Sequence, residues 1–171
     1  YRINMGKDMS EGGGENETNT IVQGHGLANA ANSLFAIKKL VFEDGVIAPH
    51  ELHQAMLSNF AGPRGEYIRQ LLVNCPKYGN DVDEVDEMAA AIAQMFTEEV
   101  RQYDPPWRGG VFGVSFQGLT ANVPEGKMTG ATPDGRKSGD ALADNISPQA
   151  GTDVSGPTAV TLSVSKIDQS R

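Results

Sequence analysis

The densest concentration of residue types suited to chemistry is the stretch from Gly118 to Gly139, GLTANVPEGKMTGATPDGRKSG. Gly130, Gly135 and Gly139 allow backbone angles closed to other residues, Pro133 fixes one φ, and Asp134 before Gly135 is a strong turn pair. Arg136 and Lys137 then place cations at its exit. Two chemistries compete for such a loop. One is phosphate binding: Gly130 and Gly135 have P-loop spacing and Lys137-Ser138 follow. Against it, Arg136 intrudes between glycine and lysine, Pro133 lacks an amide hydrogen, and no clear apolar helix comes after. The other is a rigid connection inside a large enzyme, with Arg136 and Asp134 paired to neighbouring backbone or to opposite charges.

Four smaller groups invite a chemical reading. Gly24-His25-Gly26, just before a helical pattern, offers backbone amides to an anion, but no apolar strand is expected ahead of it and a tight turn explains it as well. His50 and His53 lie three apart, one short of the helical HExxH pair and without a third ligand, so exposed surface histidines are the expectation. Cys75 has no nearby His and reads as a structural thiol. The acidic run NDVDEVDE resembles a calcium loop but lacks its glycine; acidic residues in a first helical turn, complementing the helix dipole, account for it better. No metal site is expected.

Composition bounds the partners. The 171 residues are 39% hydrophobic, enough for one domain with a core. With 22 acidic against 14 basic residues and a formal charge of −8, a broad nucleic-acid surface is excluded. No apolar run is long enough to span a membrane, YRINMGKDMS has no signal core, and a single cysteine fits a reducing compartment. The chain starts at Tyr1 and stops at Arg171 just after an apolar-rich segment, so an interior piece of a longer polypeptide is expected.

The elements that must position these groups follow from periodicity. Residues 1–20, with Gly12, Gly13 and Gly14 in series, read as loop or linker. Asn29 or Asn32 is expected to cap a helix that buries Leu34, Ile37, Leu40 and Val41 and ends near Gly45. A second helix is expected from Pro49 to Phe60 on the stripe Leu52, Met56 and Phe60, and a third from Gly65 to Asn74 on Ile68, Leu71 and Leu72, stopped before Pro76. The longest should cover Val82 to Gln102, with Met88 and Met95 widening its stripe, and be closed by Tyr103-Asp104-Pro105-Pro106. From Val111 to Val123 the pattern is strand-like. A bulge at Gly118 would restore its register and line up Ser115, Gln117, Thr120 and Asn122 on one polar face, suited to a barrel interior. For GPTAVTLSVSKI a helix starting at Pro157, capped by Ser155 or Gly156, is preferred over a strand.

Five motifs in order, QGHGLAN-SLFAIKKLVF, PKYGNDVDEVD, TGATPDGRKSG, LAD-NISP-QAG-TD and GPTAV-SVSK, resemble glycyl radical enzymes, the pyruvate formate-lyase-like family of lyases and dehydratases. The resemblance covers about residues 12–168. It implies an α/β fold in which this chain is a mostly helical piece, with few strands, of a ten-stranded barrel, residues 21–171 forming part of that barrel domain. It implies anaerobic radical chemistry on a small polar substrate, in the cytoplasm and as a homodimer. The glycyl radical would be installed by an iron–sulfur S-adenosylmethionine activating enzyme and passed to a cysteine thiol. Neither an RVxGY-like radical motif nor a GCxE-like cysteine loop occurs in this sequence, so the piece is expected to carry no catalytic residue, to be inert alone, and to depend on the remainder of the polypeptide. By position before the ATPDGR loop, Thr120 and Asn122 correspond to substrate-contacting residues of the family. A non-catalytic helical interaction module and a phosphate-binding domain are the alternatives.

Overall fold

A computed structural model of the protein describes residues 20–103 and 112–168. Apart from Thr20, the expected linker over residues 1–20 lies outside the described residues, as do Asp104, Pro105 and Pro106. Two strands and six helices follow in the described chain: β1 (Thr20–Gln23), α1 (Leu27–Ala36) running on as a π-helical segment (Ile37–Glu43), α2 (Pro49–Leu57), α3 (Gly62–Asn74), α4 (Asp83–Val100), β2 (Phe112–Ser115), α5 (Asn122–Met128) and α6 (Pro157–Ser165). The architecture is mostly helical with one two-stranded sheet. β1 and β2 pair in parallel, Thr20 against Phe112 and Gln23 against Ser115, and the four intervening helices form the crossover that parallel strands need. A strand therefore does precede Gly24-His25-Gly26, against the expectation; Ile21 and Val22 are β-branched but only four residues pair, too few to register as an apolar strand.

The core lies where α1 packs on α4. Ala28, Ala31 and Phe35 from α1 and Val85, Ala89 and Ala93 from α4 are buried, and the alanines let the two backbones approach closely. The expected cap of α1 was misplaced. Its N-cap is Gly26 in a left-handed conformation (φ 75°), and Asn29 and Asn32 sit inside the helix, buried. With the start moved forward, Phe35 is 2% exposed whereas Leu34, expected in the core, is 48% exposed. Leu40 is buried, Ile37 and Val41 pack partly against the core, and the helix ends as expected at Asp44, before Gly45.

α2 opens on Pro49 and buries Leu52, with Phe60 buried just beyond its end and Met56 packed on the core. α3 begins slightly earlier than predicted, buries Ile68 and Leu72, and gives way to extended Cys75 before Pro76. In α4, Val85, Ala89 and Val100 are buried, but Met95 is 59% exposed, so it does not widen the stripe. Asp86, expected to serve only the helix dipole, is fully buried. α6 starts on Pro157 after Gly156, the helical alternative of the sequence reading.

The expected strand from Val111 to Val123 is largely absent. Val111 lies outside the described residues, β2 stops at Ser115, a turn follows, and α5 begins at Asn122. Gly118 forms no bulge; its amide donates to Asn145 Oδ1 at 2.7 Å, which turns the chain away from the sheet, and Leu119 takes φ 51°. Thr120 and Asn122 therefore do not share a strand face with Ser115 and Gln117. Among the described residues, no helix is long and apolar enough to cross a membrane.

Candidate functional site

The TGATPDGRKSG loop is held by its own side chains. Asp134 Oδ1 accepts from Thr132 Oγ1 (2.5 Å) and from the Arg136 amide (3.1 Å), while Oδ2 accepts from Asn29 Nδ2 (2.6 Å). The Arg136 guanidinium donates to the carbonyls of Lys137 (3.0 Å), Asp140 (2.7 Å), Thr129 (3.3 Å) and Gly130. A planar fork suits several carbonyls at once, which a lysine could not satisfy. The Gly135 amide donates to Thr132 O at 3.0 Å. The amides a phosphate cradle would need at Gly135 and Arg136 are thus engaged, and the loop is the rigid connection of the second sequence reading.

Residues from the other motifs converge on it. Asn29 also donates to Gln149 Oε1 (3.0 Å) and accepts the Ala143 amide (2.7 Å), so one buried side chain joins α1 to three parts of the C-terminal loops. Asn32 Oδ1 accepts the Tyr78 amide, and Tyr78 donates its hydroxyl to Ile146 O at 3.0 Å. Lys77, buried, donates to the carbonyls of Leu72 (2.6 Å) and Asp134 (3.1 Å); burial holds its ammonium below the ordinary lysine range. Burial likewise raises the Tyr78 hydroxyl and the Cys75 thiol above their usual values. A buried thiol of raised pKa suits the structural role expected of Cys75.

On this frame, the carboxyl ends of the parallel strands carry a polar cluster. Open parallel sheets characteristically place ligands at that end. Gly24 closes β1 against β2 through its amide to Ser115 O (2.9 Å), and His25 follows directly. His25 Nδ1 meets Glu125 Oε2 on α5 at 2.6 Å. A β-carbon on Gly118 would lie 3.3 Å from His25 Cδ2, 3.4 Å from His25 Nε2 and 3.7 Å from Asp144 Oδ1, so the backbone there passes close over both side chains. His25 Nε2 and Asp144 Oδ1 are buried and have no hydrogen-bond partner. α5 is fixed beneath the cluster by Gly126, where a β-carbon would fall 2.3 Å from Asp140 O.

Of the sequence-predicted contacts, Thr120 is exposed on the turn between β2 and α5, and Asn122 uses its amide to donate to Leu142 O at 3.2 Å. His50 and His53 are exposed on α2. Among the described residues, no group of three or more His, Cys, Asp or Glu is arranged to hold a metal. His25, Glu125 and Asp144 were missed as a set because they are distant in sequence and no local spacing links them. The acidic start of α4 carries a second polar group the sequence did not disclose: Asp86 Oδ2 accepts from Ser163 Oγ (2.9 Å) and Lys166 Nζ (2.9 Å), and Lys166 also reaches Asp81 (3.0 Å) and Asp83 (2.7 Å). A cavity of about 330 Å³ is lined by Ala93, Thr97, Arg101, Ser115, Phe116 and Ile167; of the residues expected on the polar face it takes in Ser115 but neither Thr120 nor Asn122.

A family model described as Pyruvate formate lyase-like matches residues 2–126. The chain belongs to that family. Its resemblance to glycyl radical enzymes, read from the motifs, is borne out. The chain is 45% identical over 171 residues to a probable dehydratase, YbiW, of Escherichia coli strain K12, covering 96% of this chain and 21% of that protein. Among solved structures it superposes on the B12-independent glycerol dehydratase of Clostridium butyricum, in a glycerol-bound form, with TM-score 0.87 and 48% identity, covering 97% of this chain and 21% of that one. A protein of Roseburia inulinivorans studied for 1,2-propanediol dehydration gives TM-score 0.89 and 44% identity over the same shares. This pyruvate formate lyase-like chain thus spans about a fifth of the length of the relatives it matches.

Proposed function

We propose that this chain supplies part of the barrel of a glycyl radical dehydratase acting on a small polyol. The observation that carries the reading is the 48% identity and TM-score of 0.87 over 97% of the chain with a glycerol dehydratase. The 171 residues include neither the radical-glycine nor the cysteine-loop motif, and Cys75, which lies outside any such motif, is buried just past the end of α3. The radical, installed by an iron–sulfur S-adenosylmethionine enzyme, would supply hydrogen abstraction from elsewhere in the polypeptide, working as a cytoplasmic homodimer. What this chain's residues contribute is shape and polarity: the Asp134–Arg136 loop and Asn29 hold the segments from which Thr120 and the His25 cluster project.

Within this reading Thr120, exposed at the carboxyl end of the strands, contacts substrate, and Asn122 positions that turn through Leu142. The test uses the full-length protein, activated anaerobically by its radical enzyme. A radical signal by electron paramagnetic resonance together with turnover of glycerol or propane-1,2-diol supports the reading; a radical without dehydration of either polyol refutes it. T120A should raise KM with the radical signal intact.

A further inference from the structure

The 330 Å³ cavity takes in neither His25, Glu125 nor Asp144, and its walls have a different character. Ala90 and Ala93 from α4 face Phe116 beyond β2, and Ile146 and Ile167 complete an apolar floor. Ala93 and Ile167 are each 5% exposed, and Phe116 is set against Phe96 with ring centroids 5.6 Å apart, so the hollow is founded on packed residues. It would hold about ten water molecules, far more than the voids of a close-packed interior. The polar groups on its wall are largely engaged within the chain. Thr97 Oγ1 donates to Ala93 O at 2.8 Å, Gln94 Nε2 donates to Glu98 Oε1 at 2.7 Å, and Ser115 Oγ accepts the Gln117 amide at 3.1 Å. A pocket for a small polar molecule instead has polar groups converging on its ligand. The exposed charges around the opening, Glu98, Arg101 and Asp168, are of both signs and single out no ion. Apolar side chains are the complement of such a hollow. Their source is indicated by length, since the chain spans about a fifth of the relatives it matches.

We propose that the hollow between α4 and β2 is a socket for an apolar side chain from the part of the same polypeptide that lies outside these 171 residues. The assignment rests on the reading of this chain as part of a larger enzyme and names where the remainder docks. Ala90 and Ala93 are part of the device, because small side chains on α4 leave the space that the incoming one fills. The occupant lies against Phe116, the residue that leads from β2 towards the turn bearing Thr120. Docking there therefore braces the end of β2 from the side of α4, and apolar surface that this chain leaves open becomes core.

The test uses the full-length protein before radical activation and without substrate, so that a failure to dehydrate a diol counts against the dehydratase reading and not against the socket. A90F should clash with the occupant and lower the melting temperature, whereas in a solvent-filled hollow the added ring would bury apolar surface and raise it. T97C keeps a small side chain on the wall and does not depend on that clash. Its thiol should react with a maleimide at least about thirtyfold more slowly in the native protein than in urea, read by peptide mass mapping. A crystal structure of the full-length protein should place a side chain from outside these 171 residues in van der Waals contact with Ala90 and Phe116. A hollow holding only water or a small molecule, or filled by a side chain from within these residues or from a second subunit, overturns the assignment. So does an unchanged or raised melting temperature in A90F, or native labelling of T97C slowed by less than that factor.

Discussion

Replacing Asn29 tests the frame that positions the site. Its amide donates to Asp134 Oδ2 at 2.6 Å and to Gln149 Oε1 at 3.0 Å, and its carbonyl oxygen accepts the buried Ala143 amide at 2.7 Å. In N29A the buried Ala143 amide loses its partner, and Asp134 loses a charge-assisted bond. At about 1–3 kcal/mol for each group, the loss is about 3–5 kcal/mol, large beside a typical domain stability of about 5–15 kcal/mol. The assay is hydrogen exchange in the full-length protein, followed at the Ala143 and Arg136 amides. If opening of the loops governs exchange there, those amides should exchange about a hundredfold faster or more. N29D gives a signed control. It sets a carboxylate oxygen against Asp134 Oδ2 where a donor stood, and two carboxylates so close cannot both ionise. The folded state then holds a proton that the unfolded chain releases, so stability falls as pH rises, and N29D should be worse than N29A at neutral pH and recover on mild acidification. Exchange at both amides within about threefold of wild type in N29A, with the fold intact, would refute the claim that this one side chain fixes the C-terminal loops.

Other perturbations probe separate contacts. Gly79 has φ 95°, and a β-carbon there would lie 2.2 Å from Pro148 Cγ, so G79A should destabilise by about 2–4 kcal/mol in urea unfolding; G45A, with φ 62° but open space around it, should cost only about 1 kcal/mol. Lys166 has its pKa raised above the ordinary 10.5, first by its bond to Asp83 and then by Asp86. Its contribution is therefore complete below the unfolded value and is lost as pH climbs past 10.5 through the folded one, so the stability gap between wild type and K166M should be flat from pH 7 to 9 and narrow above 10.5. Cys75, with its thiol raised by burial, should resist iodoacetamide at pH 8 in the native protein and react on unfolding, as followed by peptide mass mapping; rapid native labelling would contradict its burial.

Helices were the legible part of the sequence. α2, α3, α4 and α6 follow from apolar spacing bounded by Pro49, Pro76 and Pro157, signals that act locally. The start of α1 was misread because Asn29 and Asn32 have the residue type of caps, yet both serve as buried hydrogen-bonding centres for segments far along the chain, which a local rule does not see. The strand expected to Val123 failed for a related reason. Its alternation is real from Phe112 to Ser115, but the Asn145 side chain captures the Gly118 amide and redirects the chain into a turn and α5. Thr120 and Asn122, expected on one strand face, lie instead on the turn after β2 and at the start of α5. His25, Glu125 and Asp144 carry no spacing signal, because their proximity exists only after β1, β2 and α5 have assembled.

The motifs by which the family was legible and the contacts that hold the C-terminal loops are largely the same residues. From Thr129 to Thr152 the chain has no helix or strand, so its backbone groups lack a ladder and must find partners one at a time. Arg136 serves four carbonyls, Asn29 one buried amide, Lys77 a carbonyl on each side, and Asn80 the carbonyl of Thr152 and the amide of Ser155. Each of these side chains has a geometry that a near neighbour in chemistry lacks: lysine cannot span four carbonyls, and aspartate cannot both donate to Asp134 and accept from Ala143. An apolar core tolerates exchange among Leu, Ile and Met, whereas a segment folded around individual polar side chains does not. That difference explains why QGHGLAN, PKYGND and ATPDGRKSG identify the fold from sequence while the apolar stripes of the helices identify only that helices are present.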